Sequence, residues 1–197
     1  MAINNNAGIG FSGISFPGGS GGGSPQPITK QITFGFNGDI TGVSTDTFGN
    51  MYLLYNAPGV STTDNPSFIR AFAGDVLKKV SIAVGDVATG NVTVGLYSAD
   101  NLTGPWTLVQ KVTIAAAPTG TNKYVEQAVN IPLTRGTYYF LGVNSDVVEL
   151  VQLAATGGFK RWTAAAGVAP ATLADADSSG SAYVAYLYGT VDRTTNP

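Results

Sequence analysis

The stretch VSIAVGDVATGNVTVGLY at residues 80–97 decides the fold class. Apolar residues alternate with small or polar ones in 80–84 and again in 91–97, and Gly85 and Gly90 bound the break between them. Side chains on a strand point alternately to its two faces, so this period of two predicts two strands, each with one face in a core. The break between the glycines favours a hairpin turn.

Similar runs follow one another from residue 28 onward. They lie at 31–36, 51–55, 106–114, 125–133, 136–143, 147–153 and 183–191. Together with 80–84 and 91–97 they make about nine strands, and no amphipathic stretch is long enough to require a helix. The predicted architecture is an all-β fold, an antiparallel β-sandwich of jelly-roll type.

Three of these stretches carry further predictions. The apolar residues Trp106, Leu108, Val112 and Ile114 share one parity, as do Val125, Val129, Ile131 and Leu133, so each set is expected to face a common core. The run 136–143 is apolar on both parities, which predicts either a central strand or a strand whose outer face is also covered. The alanine-rich segment 164–176 is interrupted by Gly167 and Pro170, and we interpret it as a loop.

The first 27 residues differ from the rest of the chain. Eight glycines between residues 8 and 23, followed by a Ser-Pro-Gln-Pro sequence, are typical of a flexible segment that stiffens at its end. The segment also contains Ile9, Phe11, Ile14 and Phe16, which a plain spacer does not need. Residues 1–27 are therefore either a linker or an arm that orders against a partner protein, and 28–197 is the β-sandwich domain.

Composition excludes several functions. Charged residues make up 11% of the chain, against roughly 25% in an average soluble domain, and the net charge is −2 with scattered Lys and Arg, so we expect no nucleic-acid binding. No cysteine is present, so disulfides and thiolate sites are impossible. The N-terminus lacks the pattern of a signal peptide, and no stretch reaches the length of a membrane span, which predicts a product made in the cytoplasm.

The chain is not expected to be an enzyme. It contains no histidine, which removes the usual general base and the imidazole metal ligand. Glu126 and Glu149 are the only glutamates, and both lie in strand-like segments where a carboxylate is usually exposed to solvent. The glycine-rich arm lacks the Gly-Lys-Ser/Thr sequence of a phosphate loop, so no cofactor is predicted.

A calcium site is a weaker alternative. Asp175, Asp177 and Ser179 precede Gly180 in the pattern of the first half of a calcium loop. The residue six positions after the glycine is Tyr186, where such a loop needs a bidentate acid. A turn leading into the last strand is therefore favoured, and calcium requires ligands from elsewhere.

Aromatic residues offer a glycan-binding alternative. Trp162, Trp106 and Tyr97 are of the residue types that stack on sugar rings. Trp106 shares parity with core positions and is interpreted as a core residue. Trp162 follows a glycine-rich, basic segment and is expected to be exposed.

The central part of the chain resembles a known class of protein. The resemblance lies in the segments 79–84, 91–100, 104–109 and 133–143, about a third of the chain. They resemble the β-sandwich modules of bacteriophage tail-fibre, head-fibre and other virion proteins, which are similar in turn to carbohydrate-binding modules. The resemblance implies a homo-oligomer, often a trimer, bound to the particle through an N-terminal segment.

The sequence therefore predicts a structural virion protein of a bacteriophage. In this interpretation the arm, with Ile9, Phe11, Ile14 and Phe16, contacts other virion proteins, and the domain decorates the capsid or tail or attaches to a host surface glycan. The alternative is a stand-alone carbohydrate-binding module. The place on the particle is left open.

Overall fold

The computed structural model describes residues 27–37, 40, 44–54, 67–85, 90–115, 123–146, 148–175 and 179–195. This part of the chain forms thirteen β-strands and no α-helix. The strands are β1 (Ile28–Gly35), β2 (Ser44–Thr47), β3 (Met51–Leu54), β4 (Phe68–Arg70), β5 (Val76–Val84), β6 (Asn91–Ala99), β7 (Trp106–Ala115), β8 (Lys123–Pro132), β9 (Tyr138–Ser145), β10 (Glu149–Trp162), β11 (Thr172–Leu173), β12 (Ser179–Ala185) and β13 (Leu187–Thr195). The all-β class predicted from the sequence is confirmed.

The pairings among the described strands are all antiparallel and fall into two groups. In the first group β8, β5, β13 and β1 are neighbours in that order. In the second, β7 pairs with β6, β6 with β9, and β9 with β3 and β4. The long strand β10 pairs with β2 near its beginning and with β3 near its end, and it meets β5 at one position. This arrangement is consistent with a β-sandwich.

The main core lies between the two groups of strands. Val80 and Ile82 of β5 and Val92, Val94 and Leu96 of β6 all have 0% exposure and belong to one apolar cluster. Burying each such side chain contributes about 1.5–3 kcal/mol. The alternation in the sequence thus fixes which face of each strand is buried.

A second apolar cluster lies on the opposite face of β6 and β9. Its buried members are Met51, Leu53, Tyr97, Ala99, Trp106, Phe140, Trp162 and Leu173. In β9, Leu141 and Val143 face the main core while Phe140 faces this second core. β9 is paired along both edges and its outer face is also covered, so both interpretations of the run 136–143 hold.

The predicted hairpin between 80–84 and 91–97 is wrong. β5 pairs with β8 and β13, whereas β6 pairs with β7 and β9, so the two strands belong to different groups. Both strands bury an apolar face against the same core, but from opposite sides. β5 and β6 are therefore not the two strands of one hairpin.

The single parity predicted for β7 is also wrong. The register with β6 shifts where Leu96 pairs with Gln110 and Tyr97 pairs with Leu108, which leaves Val109 as an extra residue. A β-bulge moves all following side chains to the other face. Trp106 consequently packs in the second core, while Ile114 packs in the main core.

The predicted strand positions agree with the structure better than the predicted number of strands, about nine, because the described residues form thirteen. β2, β4 and β11 have four, three and two residues and lack a period-two pattern long enough to recognise. The predicted strand 183–191 is divided at Tyr186 into β12 and β13. β11 lies within the predicted loop 164–176, and the described rest of that segment is irregular.

We predict that Gly35→Ala destabilises the domain by at least about 2 kcal/mol. Gly35 has φ of 111°, which L-residues avoid, and a Cβ there would overlap the carbonyl oxygen of Leu187 on the neighbouring strand. Urea unfolding measures the change. Gly49→Ala is the matched control, because a Cβ at Gly49 meets nothing within 4 Å. Equal stability of the two variants would contradict the prediction.

Candidate functional site

Most of the predicted arm precedes the described residues. Ile9, Phe11, Ile14 and Phe16 lie outside the described residues, as does Asp177 of the possible calcium loop. β1 begins at Ile28, directly after the predicted arm. The boundary between arm and domain stays a prediction.

The three aromatic residues proposed for glycan binding are brought together, but inside the protein. Tyr97 and Trp106 have 0% exposure and Trp162 has 4%. The two indole rings meet edge to face, with centroids 5.5 Å apart. The interpretation of Trp106 as a core residue is confirmed, and the expected exposure of Trp162 is wrong.

Residues 163–174, here called the covering segment, bury these rings. Asn144 on β9 is itself fully buried and holds the segment at three points. Its Nδ2 donates to the carbonyl oxygens of Ala165 (3.0 Å) and Val168 (3.3 Å), and its Oδ1 accepts from the amide of Gly167 (2.8 Å). Asn144 thus satisfies backbone groups that would otherwise be unpaired beside an apolar core.

Further hydrogen bonds fasten the covering segment along its length. The hydroxyl of Tyr97 donates to the carbonyl of Pro170 (3.0 Å), and Nε1 of Trp162 donates to the carbonyl of Ala174 (2.7 Å). Burial raises the pKa of the Tyr97 phenol, so it remains a neutral donor. Sugar stacking on these rings would require the covering segment to move.

A shallow cleft of about 330 Å³ opens where the covering segment meets the end of β10. It is lined by Trp162, Thr163, Pro170, Thr172, Leu173 and Ala174. Because the indole of Trp162 is almost entirely enclosed, this cleft offers a sugar no open ring face. The glycan-binding role of Trp162 stays a prediction.

The possible calcium ligand Asp175 has a different partner. Its carboxylate forms an ion pair with Lys160, whose ammonium group lies 5.1 Å from the centre of the Trp106 ring. Among the described residues, no group of three or more acidic side chains could hold a metal ion. The calcium prediction therefore depends on Asp177 and Ser179, whose side chains the structure does not describe.

The two glutamates have separate surroundings. Glu126 on β8 forms an ion pair with Lys79 (2.7 Å) and accepts a hydrogen bond from Ser81 (3.2 Å), whereas Glu149 on β10 accepts one from Thr45 (2.7 Å). The hydrogen bond from Lys79 holds the pKa of Glu126 below its ordinary value. A general acid needs the opposite shift, so this ion pair disfavours the proton-donor role in glycoside hydrolysis.

One arrangement of charges has no signal in the sequence. Asp75, whose carboxylate is fully buried, accepts hydrogen bonds from Nε and Nη2 of Arg193, the shortest being 2.6 Å, and one from the amide of Phe72 (2.9 Å). Arg70 and Arg135 border a cleft beside this pair. These arginines are far apart in the chain, and only the strand order brings them together.

Comparisons of the chain with protein-family models, with curated proteins and with solved structures find no match. In the part of the chain that the structure describes, no helix is long and apolar enough to span a membrane.

We predict that Asn144→Ala loosens the covering segment. Removing the amide leaves buried backbone groups without partners, which costs about 1–3 kcal/mol. The chain has only two tryptophans and both lie in the second core, so their fluorescence should shift to the red. Asn130→Ala, which removes only an exposed hydrogen bond with Lys78, should change neither stability nor emission. Unchanged emission in Asn144→Ala would refute this role.

We predict that a carbon-detected NMR titration gives Glu126 a pKa below 4.5, its ordinary value. Because the folded pKa is lowered, the ion pair stabilises the fold above about pH 4.5, and this contribution is lost as the pH falls through the folded pKa. Both side chains are more than a third exposed, so the contribution should stay below about 1 kcal/mol. Lys79→Gln should raise the pKa of Glu126, and a titration unchanged by this substitution would exclude Lys79 as the cause.

Proposed function

We propose that this chain is a structural component of a bacteriophage-type virion. In the proposal residues 1–27 bind the particle, and the domain from residue 28 onward is a jelly-roll sandwich that decorates the capsid or tail or contacts the host surface. The resemblance of the central strands to virion modules motivates the proposal. The buried aromatic rings give the alternative, a stand-alone carbohydrate-binding module, less support.

The observation that carries the proposal is the pairing of the first described strand with the last. Ile28, at the start of β1, pairs with Thr195, at the end of β13. The segment before Ile28 therefore continues from the same end of the domain at which β13 finishes. A domain with both chain ends on one side can be tethered there while its opposite loops stay accessible.

Exposed apolar side chains are concentrated at this end, which we call the arm end. Ile28 is 63% exposed, Phe72 58% and Leu102 37%. Strand register places them at the same end. Arg193, whose guanidinium lies over the Phe72 ring, pairs with Lys30, two residues after Ile28. Arg70, two residues before Phe72, pairs with Tyr138, and Tyr138 pairs with Ala99, three residues before Leu102. Large exposed apolar groups mark surfaces that are covered in an assembly.

The proposed oligomer is a closed homotrimer, by the same resemblance. Large exposed apolar residues away from the arm end are few: among the described residues they are Val109 and Val168. The surface available for assembly is therefore the arm end together with the arm. This agrees with the low charge of residues 1–27, which contain no Asp, Glu, Lys or Arg.

We predict that the full chain is a trimer and co-sediments with purified particles that lack it. A chain beginning at Ile28 should remain trimeric but bind about tenfold more weakly or worse, because it has lost the apolar arm residues. Light scattering gives the mass relative to the 20.2 kDa protomer, and sedimentation gives the bound fraction. Two monomers that both fail to co-sediment would overturn the proposal.

A further inference from the structure

Three of the four arginines of the chain meet at the arm end. Arg70 ends β4, Arg135 lies in the turn before β9, and Arg193 lies near the end of β13. Nη2 of Arg193 is 3.4 Å from the carbonyl oxygen of Arg70, and Nε of Arg70 donates to the carbonyl of Gly136 (3.3 Å). In a chain with only ten basic residues, this concentration is a feature that the fold creates.

A cleft of about 190 Å³ opens between these side chains. It is lined by Arg70, Ala71, Phe72, Arg135 and Gly136. We call it the arginine cleft. Two turns form its walls, one at 71–75 and the other at 133–137, and each turn is joined to the other by backbone hydrogen bonds.

These hydrogen bonds make the arginine cleft rigid. The amide of Ala71 donates to the carbonyl of Thr137 (3.0 Å), and the amide of Gly136 donates back to Ala71 (2.8 Å). The amide of Leu133 donates to the carbonyl of Asp75 (2.9 Å). A preformed cleft loses little conformational entropy when a ligand binds.

The turn at 71–75 keeps the side chain of Phe72 exposed to solvent. Its ring is 58% exposed, and the guanidinium carbon of Arg193 lies 4.1 Å from the ring centre. Asp75 fixes both residues, because it accepts hydrogen bonds from Arg193 and from the amide of Phe72. Exposed aromatic and arginine side chains on a rigid support are typical of the residues that dominate binding energy at protein interfaces.

The arginine cleft is positively charged. Asp75 neutralises Arg193, but no carboxylate of the described residues forms an ion pair with Arg70 or Arg135. Residues 1–27 contain no acidic side chain that could supply one. Guanidinium groups bind carboxylates through paired hydrogen bonds, so Arg70 and Arg135 are suited to bind the carboxylates of another molecule.

The lining also limits the kind of ligand. Among the five residues, no side chain can accept a hydrogen bond, since they are two arginines, an alanine, a phenylalanine and a glycine. A sugar presents many hydroxyl donors that would find few partners here. A carboxylate next to an apolar side chain fits both the guanidinium groups and the exposed ring.

We infer that the arginine cleft binds a peptide segment of another protein in which Asp or Glu alternates with an apolar residue. The carboxylates pair with Arg70 and Arg135, and the apolar side chain packs on the open part of Phe72. The inference goes beyond the proposed function and does not require it, because it concerns the folded domain and a peptide, without the arm or a particle.

The test is an NMR titration of the isotope-labelled full chain with a capped hexapeptide of alternating leucine and glutamate. The same peptide with glutamine in place of glutamate is the neutral control, and an oligogalacturonate of equal charge tests an acidic glycan. We expect the glutamate peptide to bind about tenfold tighter than either and to shift resonances of Phe72 and Arg70.

Substitutions test which residues of the arginine cleft bind the peptide. Arg70→Gln/Arg135→Gln should weaken binding by about tenfold or more, and Phe72→Ala by about fivefold. Lys111→Gln/Lys123→Gln removes the same charge from other exposed positions and should change the affinity less than about twofold. All these side chains are exposed, and urea unfolding verifies that each variant is folded.

Several results would overturn the inference. They are equal binding of the glutamate and glutamine peptides, an equal loss in the lysine control, and tighter binding of the oligogalacturonate. The absence of binding by every probe up to about 1 mM, an affinity of roughly −4 kcal/mol, would do so as well.

Discussion

The burial of β6 and β9 on both faces is the constraint on which the rest of the structure depends. A strand that is buried on both faces needs a packing layer on each of them. On one face this layer is the group of strands around β5, which encloses the main core. On the other face the second core is enclosed by side chains of β3 and of the end of β10 together with the covering segment, and part of this enclosure is irregular backbone.

Irregular backbone can lie on an apolar core only if its polar groups find partners. Asn144 and Thr93 meet this requirement, since both interrupt apolar strands and both bond to the covering segment; Thr93 donates to the carbonyl of Gly167 (3.0 Å). Polar residues that look like breaks in the pattern are therefore the residues that hold the second core closed. The same closure removes Trp106 and Trp162 from the surface, so their rings are not open to a ligand.

The sequence could show which segments are strands, because burial of one or both faces leaves a period of two or a continuous apolar run. It could not show which strands pair. β5 and β6 read as a hairpin because they are adjacent and separated by glycines, yet their pairing depends on eight residue pairs with β8 and a similar set with β9, far away in the chain. One extra residue at Val109 likewise inverts the faces of half a strand without changing the composition around it.

The candidate binding surfaces could not be predicted from the sequence, for a related reason. Trp162 follows Lys160 and Arg161 and so looks exposed, but its burial depends on Ala174 and Leu173, which fold back over it. Arg70, Arg135 and Arg193 are ordinary isolated charges in the sequence. They become a cleft only because β4 pairs with β9 and Asp75 joins the turn at 71–75 to β13.

The arm and the arginine cleft would perform complementary tasks in an assembly. An uncharged, glycine-rich segment with a few apolar side chains supplies reach and affinity, but it does little to fix the orientation of the domain. Paired guanidinium groups on rigid turns supply direction, because their hydrogen bonds to carboxylates are geometrically demanding. Residues 1–27 join the domain at the end where Ile28 pairs with Thr195, so in the proposed assembly a partner that binds them would also bring its surface next to the arginine cleft. Two weak contacts linked in this way bind more tightly than either alone, and the second contact decides how the domain is held.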